Sequence, residues 1–280
     1  MADRSDAQRR GSEHAGAGAV ARLAGPPVAA LLGVVAAVRG GKPVHPHGAV
    51  HRARLRVCGE GAAPSGSTLL HERAEHACLV RFSRSVGLPR PLPDLLGMAI
   101  RVPHAYGRDR PQDFLLVTSA DLPLAHHIFL PVSDGQSRPY SSSLPYRAGG
   151  EAFLIGALPH PGSPRPQGGT DLERLARAAA TGHLRFHLAV APVMGRFRPV
   201  ATLGIGERLP GDLDALCFDA WNCGGGLSPI GALNRMRRSA YARSQSSWRR
   251  TRVGAARTQA EADRLVRELF PHPREGRAGD

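Results

Sequence analysis

The sequence predicts an α+β domain in which a closed antiparallel β-barrel carries appended helices. Many short segments of strand-forming residues are separated by turn-forming residues, which is typical of barrels built from antiparallel strands. Most helical patterns come after the strands along the chain, as in α+β folds. With 280 residues, of which 42% are hydrophobic, the chain can bury a core of the size that such a barrel needs.

The predicted strands follow one another from residue 49 to residue 207. Apolar and β-branched residues fill them, and Gly, Pro and Ser clusters separate them, as expected for strands joined by turns. The predicted strands are 49–58, 78–83, 96–102, 114–118, 152–158, 184–191 and 199–207.

The helical patterns differ in strength along the chain. Helices are predicted at 172–180, 213–219, 229–247 and 259–270, the second of them from a weak pattern. We expect the third helix to begin at Ser228-Pro229, because serine is a favourable N-cap and proline suits the first helical position. The last helix has apolar residues at spacings of three and four and ends before Pro271.

The composition divides the chain into three predicted parts. Residues 1–41 are predicted to be a disordered segment with a short helix, 42–250 the core domain, and 251–280 a C-terminal helix and tail. The apolar run at 28–38 is shorter than the ~20 residues that a membrane-spanning helix needs. Because the N-terminal pattern is not that of a signal peptide, we expect a cytoplasmic protein.

The formal net charge of +14 comes almost entirely from arginine, since Lys42 is the only lysine. The arginines are scattered and only 5% of the residues are aromatic, which argues against a nucleic-acid-binding module. We expect neither nucleic acid nor a membrane as a partner. The four cysteines, Cys58, Cys78, Cys217 and Cys223, form no CxxC pair and are predicted to be free thiols in a reducing compartment.

Arg237 and Tyr241 are four residues apart on the predicted helix 229–247 and are therefore neighbours on one face. A guanidinium group beside a phenol favours the phenolate and lowers the pKa of the tyrosine. A phenolate is a good ligand for ferric iron, and tyrosinate is one of the known protein ligands of haem.

The surrounding residues resemble the end of the core of the haem-dependent catalase-like family. Five further residues before the helix match that family's pattern: Phe218, Asp219, Asn222, Gly226 and Leu227, followed by Pro229. Ala220 stands where proline is usual, and Arg237 follows with one residue fewer than in typical members. The Asp-Thr pair that usually follows the tyrosine is replaced by Ala242 and Arg243.

Earlier segments resemble the same family in the expected order. In the stretch 42–48, near the start of the first strand, Val44, His45 and Gly48 match the family's pattern. Lys42 stands in place of an arginine, and His47 in place of the usual base. The segment 80–83, VRFS, matches without change. Three residues of the next family pattern are also present, namely Asp94, Gly97 and Ala99. The segment 113–119 falls where the family carries its distal asparagine, and this chain has Thr118 and Ser119 there.

The resemblance implies a catalase-like barrel that binds ferric haem, most simply haem b. It implies that Tyr241 is the iron ligand beside Arg237, and that Arg81 and Lys42 bind the haem propionates. It also implies that His45 is the distal acid–base group and that Ser83 orients its ring. Because a hydroxyl at Thr118 or Ser119 is shorter than an asparagine amide, we expect peroxidase-like activity more than efficient catalase activity. The expected substrates are hydrogen peroxide or organic hydroperoxides, with a small organic electron donor, in a monomer or homodimer.

Two other functions stay open. His45 and His47 alternate, so on a strand both could face one side and bind a divalent metal together with Asp94 or Asp113. That arrangement would suit a metal-dependent hydrolase such as a phosphodiesterase, although Pro46 and Gly48 favour a turn. The other alternative is a barrel without catalytic activity that binds haem or another ligand.

Overall fold

Antiparallel strands close into a barrel in the computed structural model, which describes residues 48–59, 63–85, 88, 92–231 and 253–272. The strands are β1 (Gly48–Val57), β2 (Glu75–Arg84), β3 (Leu96–Val102), β4 (Gln112–Thr118), β5 (Tyr140–Ser141), β6 (Tyr146–Ala148), β7 (Glu151–Pro159), β8 (Leu184–Pro192), β9 (Arg198–Arg208) and β10 (Ser228–Pro229). The ring runs in the order β1-β2-β3-β4-β5-β7-β8-β9, and β9 pairs with β1 to close it. The short strand β6 pairs with the first residues of β7, and β10 pairs with β6.

The seven predicted strands correspond to β1–β4 and β7–β9, so the prediction of a closed antiparallel barrel is confirmed. β5, β6 and β10 were not predicted, because strands of two or three residues are too short to show an alternating pattern.

Side chains alternate between the inside and the outside of the barrel, as the pleat of a strand requires. The inside is filled by large apolar residues that belong to one buried cluster, among them Leu55, Phe82, Met98, Phe114 and Phe186. The outside of β1 to β4 carries the alternate positions, which include Val50, Arg81 and Leu115. This outer face is where the segments that follow the barrel pack.

Two helices lie at opposite ends of the barrel. Helix α1 (Thr68–His71) is in the connection between β1 and β2, and helix α2 (Asp171–Ala180) is in the connection between β7 and β8. The Thr170 side chain accepts a hydrogen bond from Glu173 N, and the Glu173 carboxylate accepts one from Thr170 N, so a capping box starts α2. Apolar residues of both helices join the core cluster: Leu69, Leu70, Leu175, Ala178 and Ala179.

Helix α3 (Val253–Leu269) packs on the outer face of the barrel and confirms the last predicted helix. Its residues Ala262 and Val266, together with Phe270 after its end, form a second buried cluster with Val50 and Leu79. Residues of the 3-10 turn Gly211–Ala215 belong to the same cluster. None of the helices in the described ranges is long and apolar enough to cross a membrane.

Two helix predictions are wrong in the described residues. The weak helix at 213–219 is replaced by the 3-10 turn Gly211–Ala215, after which the chain is not helical. Ser228-Pro229 does not begin a helix but forms β10, in which Pro229 pairs with Tyr146. The fixed φ of proline also suits an extended strand at a sheet edge, so the local pattern could not separate the two structures. Residues 232–247 of that predicted helix lie outside the described residues, as do the N-terminal segment 1–41 and residues 42–47.

A buried arginine joins β2 to two segments outside the barrel. The Arg84 guanidinium lies 3.2 Å from Asp94 and 2.7 Å from Asp171, and all three side chains are almost fully buried. Arg84 Nη2 also donates to the backbone oxygens of Leu88 and Leu92. One side chain therefore holds both the loop before β3 and the first turn of α2 against the barrel.

Replacing Arg84 should strongly destabilise the protein. Arg84→Met keeps most of the side-chain volume but leaves two buried carboxylates without their cation, so we expect a loss of about 3–5 kcal/mol in the free energy of unfolding. Arg54→Met is the matched control, because Arg54 pairs with Glu75 on the surface and should change stability by less than about 1 kcal/mol. Urea unfolding of the three proteins measures both changes, and similar losses in the two variants would contradict the role of Arg84.

Candidate functional site

A strip of small residues crosses the outer face of the barrel near the end that carries α2. The strand register pairs Gly48 with Ser83, Ser83 with Gly97, and Gly97 with Val117, so these four residues share one face. The two glycines have no side chain, and that of Ser83 is small and buried. We call Gly48, Ser83, Gly97 and Val117 the outer strip.

Arg81 lies next to the outer strip on the same face of the sheet, two residues before Ser83 on β2. A Cβ atom on Gly48 would stand only 2.9 Å from Arg81 Nη2 and 2.8 Å from Phe82 O, so only glycine fits at this position. Burial lowers the pKa of Arg81, while the nearby Asp214 and Cys217 oppose that shift. An arginine stays protonated even so, and a largely buried cation at the strip edge favours an anionic group beside it.

Thr118 and Ser119, the predicted replacements for the distal asparagine, both donate their hydroxyls to the loop at 128–130. The alternation of β4 puts Thr118 on the inner face, where its hydroxyl donates to Leu130 O at 2.7 Å. The Ser119 hydroxyl donates to Ile128 O at 2.7 Å. Both hydroxyls hold the loop before residue 131, and their contact with peroxide stays a prediction.

A buried ion pair lies on the outer face at the opposite end of the barrel from α2. Arg101 Nε donates to Asp113 Oδ1 at 2.7 Å, and Arg101 Nη2 donates to Asp113 Oδ2 at 2.6 Å. Burial acts to lower the pKa of Arg101, but the hydrogen bonds and charge of Asp113 outweigh it and raise this pKa. The guanidinium also lies over the Phe218 ring, 5.0 Å from its centroid, and donates to Cys217 O.

The same ion pair binds the segment 218–222, whose residues resemble the family pattern described above. Asp113 Oδ2 accepts hydrogen bonds from Asp219 N at 2.8 Å and from Asn222 Nδ2 at 2.9 Å. Asp113 N donates to Asn222 O at 2.8 Å. This segment leads to β10 and then to the residues that carry Arg237 and Tyr241 in the sequence. The contacts therefore fix residues 219–222 against the outer face of the barrel.

The structure locates only some of the predicted site residues. Arg81 and Ser83 lie on the outer face within one strand, two residues apart. The other four, Lys42, His45, Arg237 and Tyr241, lie outside the described residues, so their predicted roles stay predictions. In the described ranges, no three His, Cys, Asp or Glu side chains converge as metal ligands.

The sequence did not predict the buried ion pair of Arg101 or the position of the Asp214 carboxylate near Arg81. Arg101 was not singled out, although its outward position on β3 opposite Asp113 on β4 could have indicated an ion pair. Asp214 follows β9 in an irregular turn, where no periodic pattern predicts which way a side chain points.

Comparisons with known proteins give limited information. No family model and no curated protein matches the chain. Among solved structures, a bacterial catalase aligns with a TM-score of 0.49 and 14% identity over 71% of this chain and 55% of that chain. The chain thus spans about half the length of the catalase that it matches. The strand register establishes the closed barrel of this chain.

Removing the Asp113 carboxylate should release the segment at 219–222. Asp113→Ala leaves the Arg101 cation buried without its main partner and removes the acceptor of two hydrogen bonds, so we expect a loss of about 3–5 kcal/mol in stability. The amide of Asp219 should then exchange its hydrogen faster, as measured by hydrogen–deuterium exchange. Asp263→Ala is the control, since Asp263 lies 3.9 Å from the same arginine and is 40% exposed. Unchanged exchange at Asp219 in Asp113→Ala would contradict this assignment.

Proposed function

We propose that the protein binds ferric haem against the outer strip and uses it in a peroxidase-like reaction with hydrogen peroxide or organic hydroperoxides. The observation that carries this proposal is the outer strip with the buried Arg81 guanidinium at its border. The strip and residues 219–222 both lie on the outer face of the barrel, at opposite ends of it. The proposal also rests on the sequence resemblance.

The described residues fit a flat anionic macrocycle. A planar ring needs a surface with little side-chain bulk, which Ser83 and Gly97 offer, while the Arg81 guanidinium lies against Gly48 at the border of the strip. Arg81 suits a propionate, because a guanidinium binds a carboxylate through two parallel hydrogen bonds. Lys42 would provide a second positive charge for the other propionate.

The other predicted site residues would bind the iron, transfer a proton and orient the distal histidine. Haem bound here would supply an iron that accepts peroxide, with the Tyr241 phenolate as its protein ligand and Arg237 stabilising that phenolate. His45 would take a proton from the peroxide and return it to the departing oxygen. Ser83 would hold the ring of His45 in the required orientation.

The preference for peroxidase over catalase activity follows from the donors near the end of β4. An asparagine amide would steady hydrogen peroxide in both halves of dismutation, and this chain has none at 118 or 119. The hydroxyls of Thr118 and Ser119 already donate to backbone carbonyls. A peroxidase needs only the first half of that cycle, since an organic donor supplies the electrons for the rest.

Loss of the Tyr241 hydroxyl should prevent normal haem binding. In Tyr241→Phe the phenolate ligand is gone, so we expect a lower haem content and a changed visible spectrum after reconstitution with hemin. Tyr106→Phe is a control, because the Tyr106 hydroxyl donates to Gln112 within the barrel. A full-occupancy spectrum like that of the unmodified protein in Tyr241→Phe would contradict the ligand assignment, and no Soret band in the unmodified protein would contradict the proposed function.

His45 should be essential for consuming peroxide. His45→Ala should slow this step by ~10²–10⁴-fold, the usual contribution of a positioned acid–base group. His47→Ala serves as the control, since the neighbouring histidine has no proposed proton-transfer role. Stopped-flow dye oxidation and an oxygen electrode measure the two activities, and we expect dye oxidation to exceed oxygen release. Rapid oxygen release, or equal rates in His45→Ala and the unmodified protein, would show that this account of the distal side is wrong.

A further inference from the structure

A cavity of about 330 Å³ opens beside the start of β1, between α2 and the 3-10 turn at 211–215. Its apolar lining comes from Ala49, Leu172 and Ala176. Its charged lining comes from Glu173, Arg208 and Asp214. Its volume is at the lower end of the range of ~300–1,000 Å³ that small-molecule sites occupy.

Asp214 presents an acceptor atom that lacks a donor. Its Oδ1 is buried, and no group within the described part of the chain donates a hydrogen bond to it. The other oxygen, Oδ2, lies 3.5 Å from Arg208 Nη2, and the carboxyl group also has a hydrogen bond with the Val50 backbone. Burial raises the pKa of Asp214, which Arg208 and Arg81 oppose. The Asp214 side chain keeps 33% of its surface exposed, so a ligand in the cavity can reach the carboxyl group, and a hydrogen bond donated to the buried Oδ1 would be favourable.

The charged residues that line the cavity favour a neutral ligand over a cationic or an anionic one. A cationic amine would meet the Arg208 guanidinium, and an anionic carboxylate would meet both Asp214 and Glu173. A neutral molecule with one O–H donor avoids both repulsions and can satisfy Asp214 Oδ1. Ala49, Leu172 and Ala176 offer apolar surface to a ring.

We propose that this cavity binds a phenol, which donates its hydroxyl to Asp214 Oδ1 and serves as the organic electron donor. The inference rests on the proposed peroxidase function for the donor role, but not for the binding itself. Gly48 connects the two sites, because it lines the cavity and its missing Cβ leaves room for the Arg81 guanidinium. The ligand would therefore lie beside the border of the outer strip.

The stoichiometry of such a reaction balances. Two phenols lose one electron and one proton each and become phenoxyl radicals, while one hydrogen peroxide gains two electrons and two protons and becomes two waters. Asp214 Oδ1 is the acceptor next to the phenolic hydrogen, so it is placed to take up the proton that leaves with the electron.

The test measures phenol binding to the full chain, purified without added haem, by ligand-observed NMR titration. We expect saturable binding of phenol and at least about tenfold weaker binding of toluene, which has the same ring but no donor. Ala176→Leu fills the cavity from α2 and should abolish binding. Ala180→Leu makes the same substitution at an exposed position of that helix and should leave binding unchanged. Asp214→Asn should weaken phenol binding about fivefold, because a neutral acceptor replaces a charged one.

The outcomes separate the two proposals. Equal binding of phenol and toluene, or undiminished phenol binding in a folded Ala176→Leu variant, would overturn the cavity assignment. Saturable phenol binding by a protein that never takes up haem would support the cavity site and contradict the proposed function. A haem-loaded protein that oxidises phenol at the same rate and KM in Asp214→Asn and Ala176→Leu as in the unmodified protein would overturn the donor site while leaving the peroxidase proposal in place.

Discussion

The ion pair between Arg101 and Asp113 is the interaction on which the outer face of the barrel depends. Its two members come from neighbouring strands, and together they hold the backbone of Cys217, Asp219 and Asn222. Removal of a charged group from water is costly, and here the cost is offset by bidentate geometry and by additional donors on the same carboxylate. Because the segment after β9 has no regular secondary structure at this point, these polar contacts determine its path.

Buried and exposed arginines have different roles in this basic protein. Arg84 and Arg101 each satisfy several acceptors and join separate parts of the chain. Arg54 and Arg56 pair with Glu75 at the surface, where water and salt weaken the attraction. The two buried arginines are paired with buried aspartates and so do not contribute to the excess of positive charge, although they hold the connections against the barrel.

Strands and helices that have a regular sequence pattern could be predicted from the sequence. Short strands and side-chain positions that depend on tertiary contacts could not. The long strands were predicted because they are runs of apolar and β-branched residues bounded by turn residues, and α3 because its apolar residues recur at helical spacing. Ser228-Pro229 was misassigned, because its local preference fits both a helix start and an edge strand, and the pairing with Tyr146 decides between them. The hydroxyl partners of Thr118 and Ser119 lie in the loop at 128–130, whose path no local pattern predicts. The carboxylate at Asp214 depends on how the turn folds back over β1, which no local pattern encodes.

Closure of the barrel through β1 and β9 has a consequence for the synthesis of the protein. β1 begins at Gly48 and its second neighbour ends at Arg208, so the ring stays open until most of the chain has left the ribosome. Until then β1 presents an unpaired edge, a kind of surface that promotes association between chains. Contacts between residues so distant in sequence also form slowly. A nascent chain of this protein therefore has a long interval in which a chaperone that covers strand edges would improve its yield.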